Sequence, residues 1–331
     1  MLLNHLKTVM HNITIPKHIR HNFKTINPDK MNELREILKE EYFKNIKYSI
    51  GVTSEKYLAT AEGKTDVENH TVNRLYVFRN TVIPWLDSLK KLSSSRILEI
   101  GCGTGCSTLA LAEQGAIVTG IDIDEASIRV AKFRANLYGV EYTLLQENAA
   151  RIDRFSKQSF DLIIFFAALE HMTIDERIEA LKKAWDLLSA GSILVVIDTP
   201  NRLWYRDEHT SLLPFFHWLP DQLAFYYSSR SQRINFYRFS NDLGSQVPMT
   251  FHRLGRGVSY HEFEIAIGKN AGLKVIGDLD SFLAKRSINP LLKLKRKISK
   301  GNRYYKLIKS LNPFVHSSFF RQELNLAIIK E

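Results

Sequence analysis

Acid is missing from two stretches of this 331-residue chain. Residues 281–322 carry eleven Lys and Arg with no Asp or Glu, which equals the net charge of +11 for the whole chain. The remainder is balanced, so any pull on an anionic partner belongs to that one segment. The first 28 residues are also free of acid, with Lys7, Lys17, Arg20 and Lys24. They lack both the continuous apolar core of a secretory signal and the Arg and Ser richness of a transit peptide, and read as mature sequence. Cysteine is scarce: Cys102 and Cys106 are the whole complement. That excludes a disulfide framework and favours a reducing, cytoplasmic setting. Long apolar runs are missing too. The segment 162–169 is short enough to be a buried strand, far from the roughly 18–20 residues that span a bilayer, so no transmembrane helix is expected. Zinc-type Cys and His spacing is absent, and no metal site is expected.

What remains is an ordinary folded composition, 44% hydrophobic and 24% charged, in a chain long enough to bury a large core. Residues 1–92 read as a helical cap, with Met31, Leu34, Ile37 and Leu38 on one face. From Arg96 the pattern changes to strands alternating with helices. Strands are expected at 96–100, 117–121, 142–145, 160–166, 193–197, 274–279 and 324–330, and helices at 107–114, 124–139, 176–188 and 260–270. The run at 160–166 is apolar at nearly every position, as a central parallel strand covered on both faces must be. Such alternation predicts an α/β, doubly wound, Rossmann-like sheet over 93–331. Two segments interrupt it, an aromatic insertion at 200–259 and the basic insertion at 281–322.

The strongest chemical signal is Ile97-Leu98-Glu99-Ile100-Gly101-Cys102-Gly103-Thr104-Gly105. A strand feeding a glycine turn into a helix lets a ligand approach the backbone closely. In the dinucleotide fingerprint G-x-G-x-x-G the third glycine packs helix on strand; here that position is Cys106, which departs from a dehydrogenase. Glu99 and the turn instead resemble motif I of class I S-adenosylmethionine-dependent methyltransferases, where Gly101, Cys102, Gly103 and Gly105 would contact the methionine part of the cofactor. The resemblance extends to Asp122, which ends the second strand and would accept from both ribose hydroxyls, with Ile123 beside it. Asn148 and Ala149 occupy the place where the family often has an acid before an adenine contact. Phe160 to Phe166, followed by Ala167-Ala168-Leu169-Glu170-His171, resembles the family's fourth strand and its Leu-Glu-His sequence; Ala167 would line the cofactor cleft.

The resemblance implies in-line displacement at the sulfonium methyl, driven by alignment and exclusion of water, with no metal and no covalent intermediate. A base helps only if the acceptor is a hydroxyl. His171 and His209 are the candidates, with side chains in the useful pKa range; His171 is also readable as a histidine that fixes its loop by hydrogen bonds. The aromatics of 200–259, among them Trp204, Phe215, Phe216 and Phe225, either contact a lipophilic acceptor or form the insertion's own core. A small lipophilic, lipid-linked or glycan-intermediate acceptor is therefore expected, as in relatives of ubiquinone-pathway enzymes. Basic residues in 289–311 alternate with Leu291, Leu294, Ile298, Leu307 and Leu311, and suggest peripheral contact with anionic lipid. The competing readings are an RNA methyltransferase stacking bases on Tyr304 and Tyr305, and a cofactor-binding protein without catalysis.

Overall fold

A computed structural model describes residues 23–44, 53–233, 251, 253–268, 273–286 and 300–331. Seven strands form one sheet: β1 Arg96–Ile100, β2 Ile117–Asp122, β3 Thr143–Gln146, β4 Phe160–Phe166, β5 Leu188–Pro200, β6 Val275–Asp278 and β7 Glu323–Ile329. Their order is β3-β2-β1-β4-β5-β7-β6. The first five run parallel, and β7 enters antiparallel between β5 and β6. Alternation of side chains along each strand divides the core in two. Ile97, Leu162, Ile164, Val195 and Ile197 face one layer. Leu98, Ile100, Ile163, Phe165, Leu194 and Val196 face the other. Each of these chains buried in full contributes about 1.5–3 kcal/mol over exposure, which is why the central strands carry almost no polar residues.

The first layer is shared with the N-terminal helices. Helix α1 (Pro28–Ile37) starts where the Asn27 side chain accepts from the Lys30 N–H, and α2 (Ser54–Ala59) and α3 (Ala61–Glu68) follow. The chain then continues helically through α4 (Arg74–Val77) to α5 (Ile83–Leu89). Leu34, Leu38, Leu75, Phe78, Trp85 and Leu86 join the cluster that contains Ile97 and Leu162. An ion pair fastens this layer: Arg79 Nε donates to Glu113 at 3.0 Å, and the Glu113 side chain has no solvent exposure. The remaining helices on the strand side are α6 (Cys106–Ala112), α7 (Glu125–Tyr138), α8 (Ile174–Leu187), α9 (Asp221–Ser228), α10 (Tyr260–Ile267), α11 (Leu279–Arg286) and α12 (Lys300–Leu311).

Most boundaries shift by one or two residues, and three differ for a reason visible in the structure. Helix α10 stops at Ile267 because Gly268, at φ +99°, already takes a conformation that ends a helix; the expected residues 269 and 270 lie outside the described ones. Strand β5 starts at Leu188 rather than 193, since Leu188 already pairs with Phe160 ahead of a register shift. Within the expected helical cap, α1 gives way to π geometry at Leu38–Phe43, and residues 45–52 lie outside the described ones. Within the aromatic insertion, Phe216, Phe225 and Phe251 form a small core with Ala224. Those rings pack on each other rather than line a cleft; Phe215, Trp218 and Tyr226 remain exposed. Among the described residues no helix is long and apolar enough to cross a membrane.

Candidate functional site

The glycine turn is built for close approach. Gly101 and Gly105 both sit at φ +79°. A Cβ on Gly101 would lie 2.6 Å from the Ala168 Cβ, and one on Gly105 2.9 Å from that of Ala131. Gly103, at φ +49°, has open space where its Cβ would be, a cradle that a side chain would fill. The amides of Gly101 and Cys102 both donate to Ile121 O, at 2.9 and 3.1 Å, so the turn is pinned to the end of β2. Asp122 completes the pin: Oδ2 accepts from Gly103 N at 2.8 Å and Oδ1 from Asp124 N at 2.9 Å. Burial pushes its pKa up against those hydrogen bonds, and each oxygen retains lone pairs for a ligand hydroxyl. Ile123 beside it is 60% exposed and offers an apolar surface.

Glu99 is fully buried at the strand end. Its Oε2 accepts from Thr108 Oγ1 at 2.6 Å, while Oε1 finds no hydrogen-bond partner among the described residues. Burial raises its pKa to about 7, opposed by hydrogen bonds from Ser107 and Thr108. An orphaned acceptor behind a glycine turn fits a cationic or N–H-bearing ligand group, as the amino end of S-adenosylmethionine is. The turn is braced from behind by Arg134 of α7, which is 0% exposed. Its Nε donates to Thr104 O at 2.8 Å and its Nη2 to His70 O at 2.6 Å. His70 Nδ1 also lies 3.1 Å from Thr104 Oγ1, so the N-terminal layer touches the turn directly.

Asn148 uses its side-chain oxygen to accept from Ala150 N at 2.9 Å, which holds a short 3-10 turn with Ala149 buried in it. Its structural role is thus filled, and an adenine contact would draw on the second lone pair. Glu147 N donates to Asp122 O at 2.9 Å and brings this turn beside the ribose-side carboxylate. Ala167, at φ +46°, donates to Ile197 O at 3.0 Å and leads into Ala168, the residue against Gly101.

Beyond Ala168 lies a polar cluster. Glu170 is 0% exposed, its Oε2 accepts from Thr199 Oγ1 at 3.3 Å, and its Oε1 has no hydrogen-bond partner among the described residues. His171 Nε2 stands 3.8 Å and His209 Nε2 3.5 Å from that same Oε1. Burial drives the Glu170 pKa up to about 8, with Asp198 adding to it. His171 places Nδ1 2.7 Å from Arg253 O. Only a ring N–H can face a carbonyl, so the proton is on Nδ1 and Nε2 holds the lone pair. Burial lowers the His171 pKa, partly offset by that hydrogen bond. The side chain stays 38% accessible, which limits the shift.

His209 is placed by its loop. Asp207 accepts from His209 N at 2.9 Å, Thr210 N at 2.7 Å and Ser211 Oγ at 2.7 Å. His217 Nδ1 accepts from Gly257 N at 2.9 Å, so its Nε2 carries the proton 3.2 Å from Asp207. Burial opposes ionisation of Asp207, but His217 and these amides hold its pKa well below the usual range. The His209 pKa falls to about 3, first through burial and then through His171. Both predicted base candidates therefore meet at Glu170, an acid quoted in the sequence motif but given no role there. Asp198, at the end of β5, and Glu323, opening β7, join the same neighbourhood; nothing in their local sequence distinguishes them from solvated acids.

Residues 97–191 match the family described as methyltransferase domain. The ubiquinone biosynthesis O-methyltransferase of Pseudomonas entomophila is 33% identical over 103 residues, 31% of this chain and 42% of that protein. Its counterpart in Pseudomonas putida is 35% identical over the same length and shares. The chain thus spans less than half the length of the curated relatives it matches. Among solved structures, an S-adenosylmethionine-dependent methyltransferase of Methanosarcina mazei is 32% identical with a TM-score of 0.32, covering 34% of this chain and 56% of its own. Magnesium protoporphyrin IX methyltransferase of Synechocystis, solved with the cofactor bound, is 20% identical with a TM-score of 0.36, covering 54% and 80%.

Proposed function

We propose, from the class I S-adenosylmethionine-dependent methyltransferase domain that residues 97–191 carry, that this protein methylates a hydroxyl of a small lipophilic or lipid-linked acceptor. The observation that carries the acceptor chemistry is His171, a neutral imidazole with its Nε2 lone pair free and its other nitrogen locked on Arg253 O. It stands three residues after Ala168, whose Cβ abuts the glycine turn at Gly101. When bound, S-adenosylmethionine supplies an electrophilic sulfonium methyl. The protein's own work is to hold and to align. Gly101, Cys102, Gly103 and Gly105 let the backbone approach the ligand, Glu99 receives its amino end, and Asp122 receives ribose hydroxyls. His171 Nε2 takes the acceptor proton, which makes the hydroxyl oxygen the nucleophile. His209, the alternative base, has a pKa too depressed for efficient proton removal near neutrality. The relatives' printed name, an O-methyltransferase, supports an oxygen acceptor.

His171→Asn is expected to retain cofactor binding and lose roughly 100-fold or more of the transfer rate. The wild-type rate should fall as pH drops through a His171 pKa below its ordinary value. A variant with wild-type rate and an unchanged pH profile overturns the base assignment.

The acceptor's lipid character rests on α12. Leu307 is 56% and Leu311 75% exposed, with Phe314 just beyond at 97%, while Arg303, Lys306 and Lys309 stand on the same helix. Apolar side chains beside cations suit an anionic lipid surface. Residues 287–299, the first part of that segment, lie outside the described ones. Base stacking on Tyr304 and Tyr305 is less well supported. Tyr304 donates its hydroxyl to Leu203 O at 2.7 Å and packs its ring 5.2 Å from Trp204. Arg321 lies over the Tyr305 ring at 4.7 Å.

A further inference from the structure

We propose that Asp198, His209 and Glu323 form a binding site for one divalent transition-metal cation. One ligand atom from each, a carboxylate oxygen, an imidazole nitrogen and a second carboxylate oxygen, all lie within 4.8 Å of one another. Donors bonded to one small ion at about 2.0–2.2 Å lie within about 4.4 Å of each other, so this cluster comes close to the spacing that a shared ion would set. The donors come from three places in the chain: the end of β5, the loop after it, and the first residue of β7. No local spacing could reveal them.

Independent observations point to a missing occupant. Among the described residues, Asp198 Oδ1 and His209 Nδ1 are buried without a hydrogen-bond partner. So is Oε1 of Glu170, a side chain with no solvent exposure, which lies 3.5 Å from His209 Nε2. A buried acceptor left unpaired costs about 1–3 kcal/mol, more when charged, and three in one neighbourhood seldom persist without a ligand. The arrangement also has the outer contacts of a metal centre. A histidine that binds metal through Nδ1 is neutral and carries its proton on Nε2, where Glu170 waits to accept it. The Asp198 backbone is held in the left-handed region, φ +57°, with its N–H donating to Asn325 Oδ1 at 2.8 Å. Asp207 fixes the His209 backbone at 2.9 Å.

Two carboxylates with one imidazole suit Mn²⁺, Fe²⁺ or Zn²⁺ better than Ca²⁺, which prefers an all-oxygen shell. Three protein donors leave positions for water or for oxygens of an acceptor. Use of the ion to polarise an acceptor hydroxyl rests on the O-methylation reading; binding of the ion does not.

The test uses the full chain, stripped with chelator and dialysed. Mn²⁺ is titrated in and its free fraction read by electron paramagnetic resonance, with S-adenosylmethionine affinity measured in parallel. The expected result is one Mn²⁺ per chain, bound at least tenfold more weakly by Asp198→Asn and by Glu323→Gln. Both variants replace a half-buried carboxyl by an amide of the same size, so without metal they should melt close to the stripped wild type. Their melting should no longer respond to Mn²⁺. The proposal is overturned if the wild type binds no stoichiometric ion, or if either variant binds it as tightly. Cofactor affinity should be equal in all three proteins, which keeps failure of the metal site apart from failure of the methyltransferase reading.

Discussion

The two sides of the cleft are built differently. On the side proposed for the cofactor, between β1 and β3, the bonds among the candidate residues are short in sequence: Gly103 N to Asp122, Asp124 N to Asp122 and Ala150 N to Asn148 are separated by 19, 2 and 2 positions. On the acceptor side, the groups that meet are far apart, as His171 with Arg253 O at 82 positions and Asp198 N with Asn325 at 127. A binding turn made of adjacent residues can be carried intact between proteins. A pocket assembled from β4, β5, an aromatic insertion and the last strand is free to change with the substrate.

The largest effects should come from the turn. Gly101→Ala places a Cβ 2.6 Å from that of Ala168 at a positive φ, and should cost at least about 1–3 kcal/mol of stability along with cofactor binding. Gly103→Ala meets open space, so it should melt within about 1 kcal/mol of wild type and still lose cofactor affinity, because the methyl fills the approach. Equal melting and equal affinity in both variants would remove the distinction between a packed and an open glycine. Denaturant unfolding with calorimetry reads both quantities.

The smallest expected effect lies on the outer edge of the acceptor side. Neutralising Arg303, Lys306 and Lys309 together should weaken co-sedimentation with anionic vesicles by about 1 kcal/mol per charge at low salt. Wild-type binding itself should fall as salt rises. Vesicle binding that is indifferent to salt and to these charges, or steeply salt-dependent binding to RNA in its place, would assign the helix to another partner.

Legibility in the sequence followed the same division. The strand, turn and helix from Arg96, the acid at Asp122 and the apolar β4 announce themselves through patterns a few residues long. Arg134 does not: on a helix it reads as a solvated cation, yet it is wholly buried under the turn, satisfied by carbonyls of Thr104 and His70 that lie 30 and 64 positions away. Glu323 looks like a polar start to an apolar strand until β7 is inserted beside β5. The aromatic insertion read equally well as substrate surface or as its own core; Phe216, Phe225 and Phe251 take the second part. Fold class and the glycine turn are thus local information, whereas the cluster proposed for catalysis depends on chain closure that no window of sequence contains.

The central claim is that this chain binds S-adenosylmethionine at the turn from Gly101 to Gly105, with Asp122 on its ribose. Isothermal calorimetry of the full chain tests it most directly. Stoichiometric binding of S-adenosylmethionine and S-adenosylhomocysteine is expected, weakened by about 1–3 kcal/mol in Asp122→Ala as charge-assisted hydrogen bonds are lost. No binding of either compound, or tighter binding of a nicotinamide dinucleotide, would contradict the account.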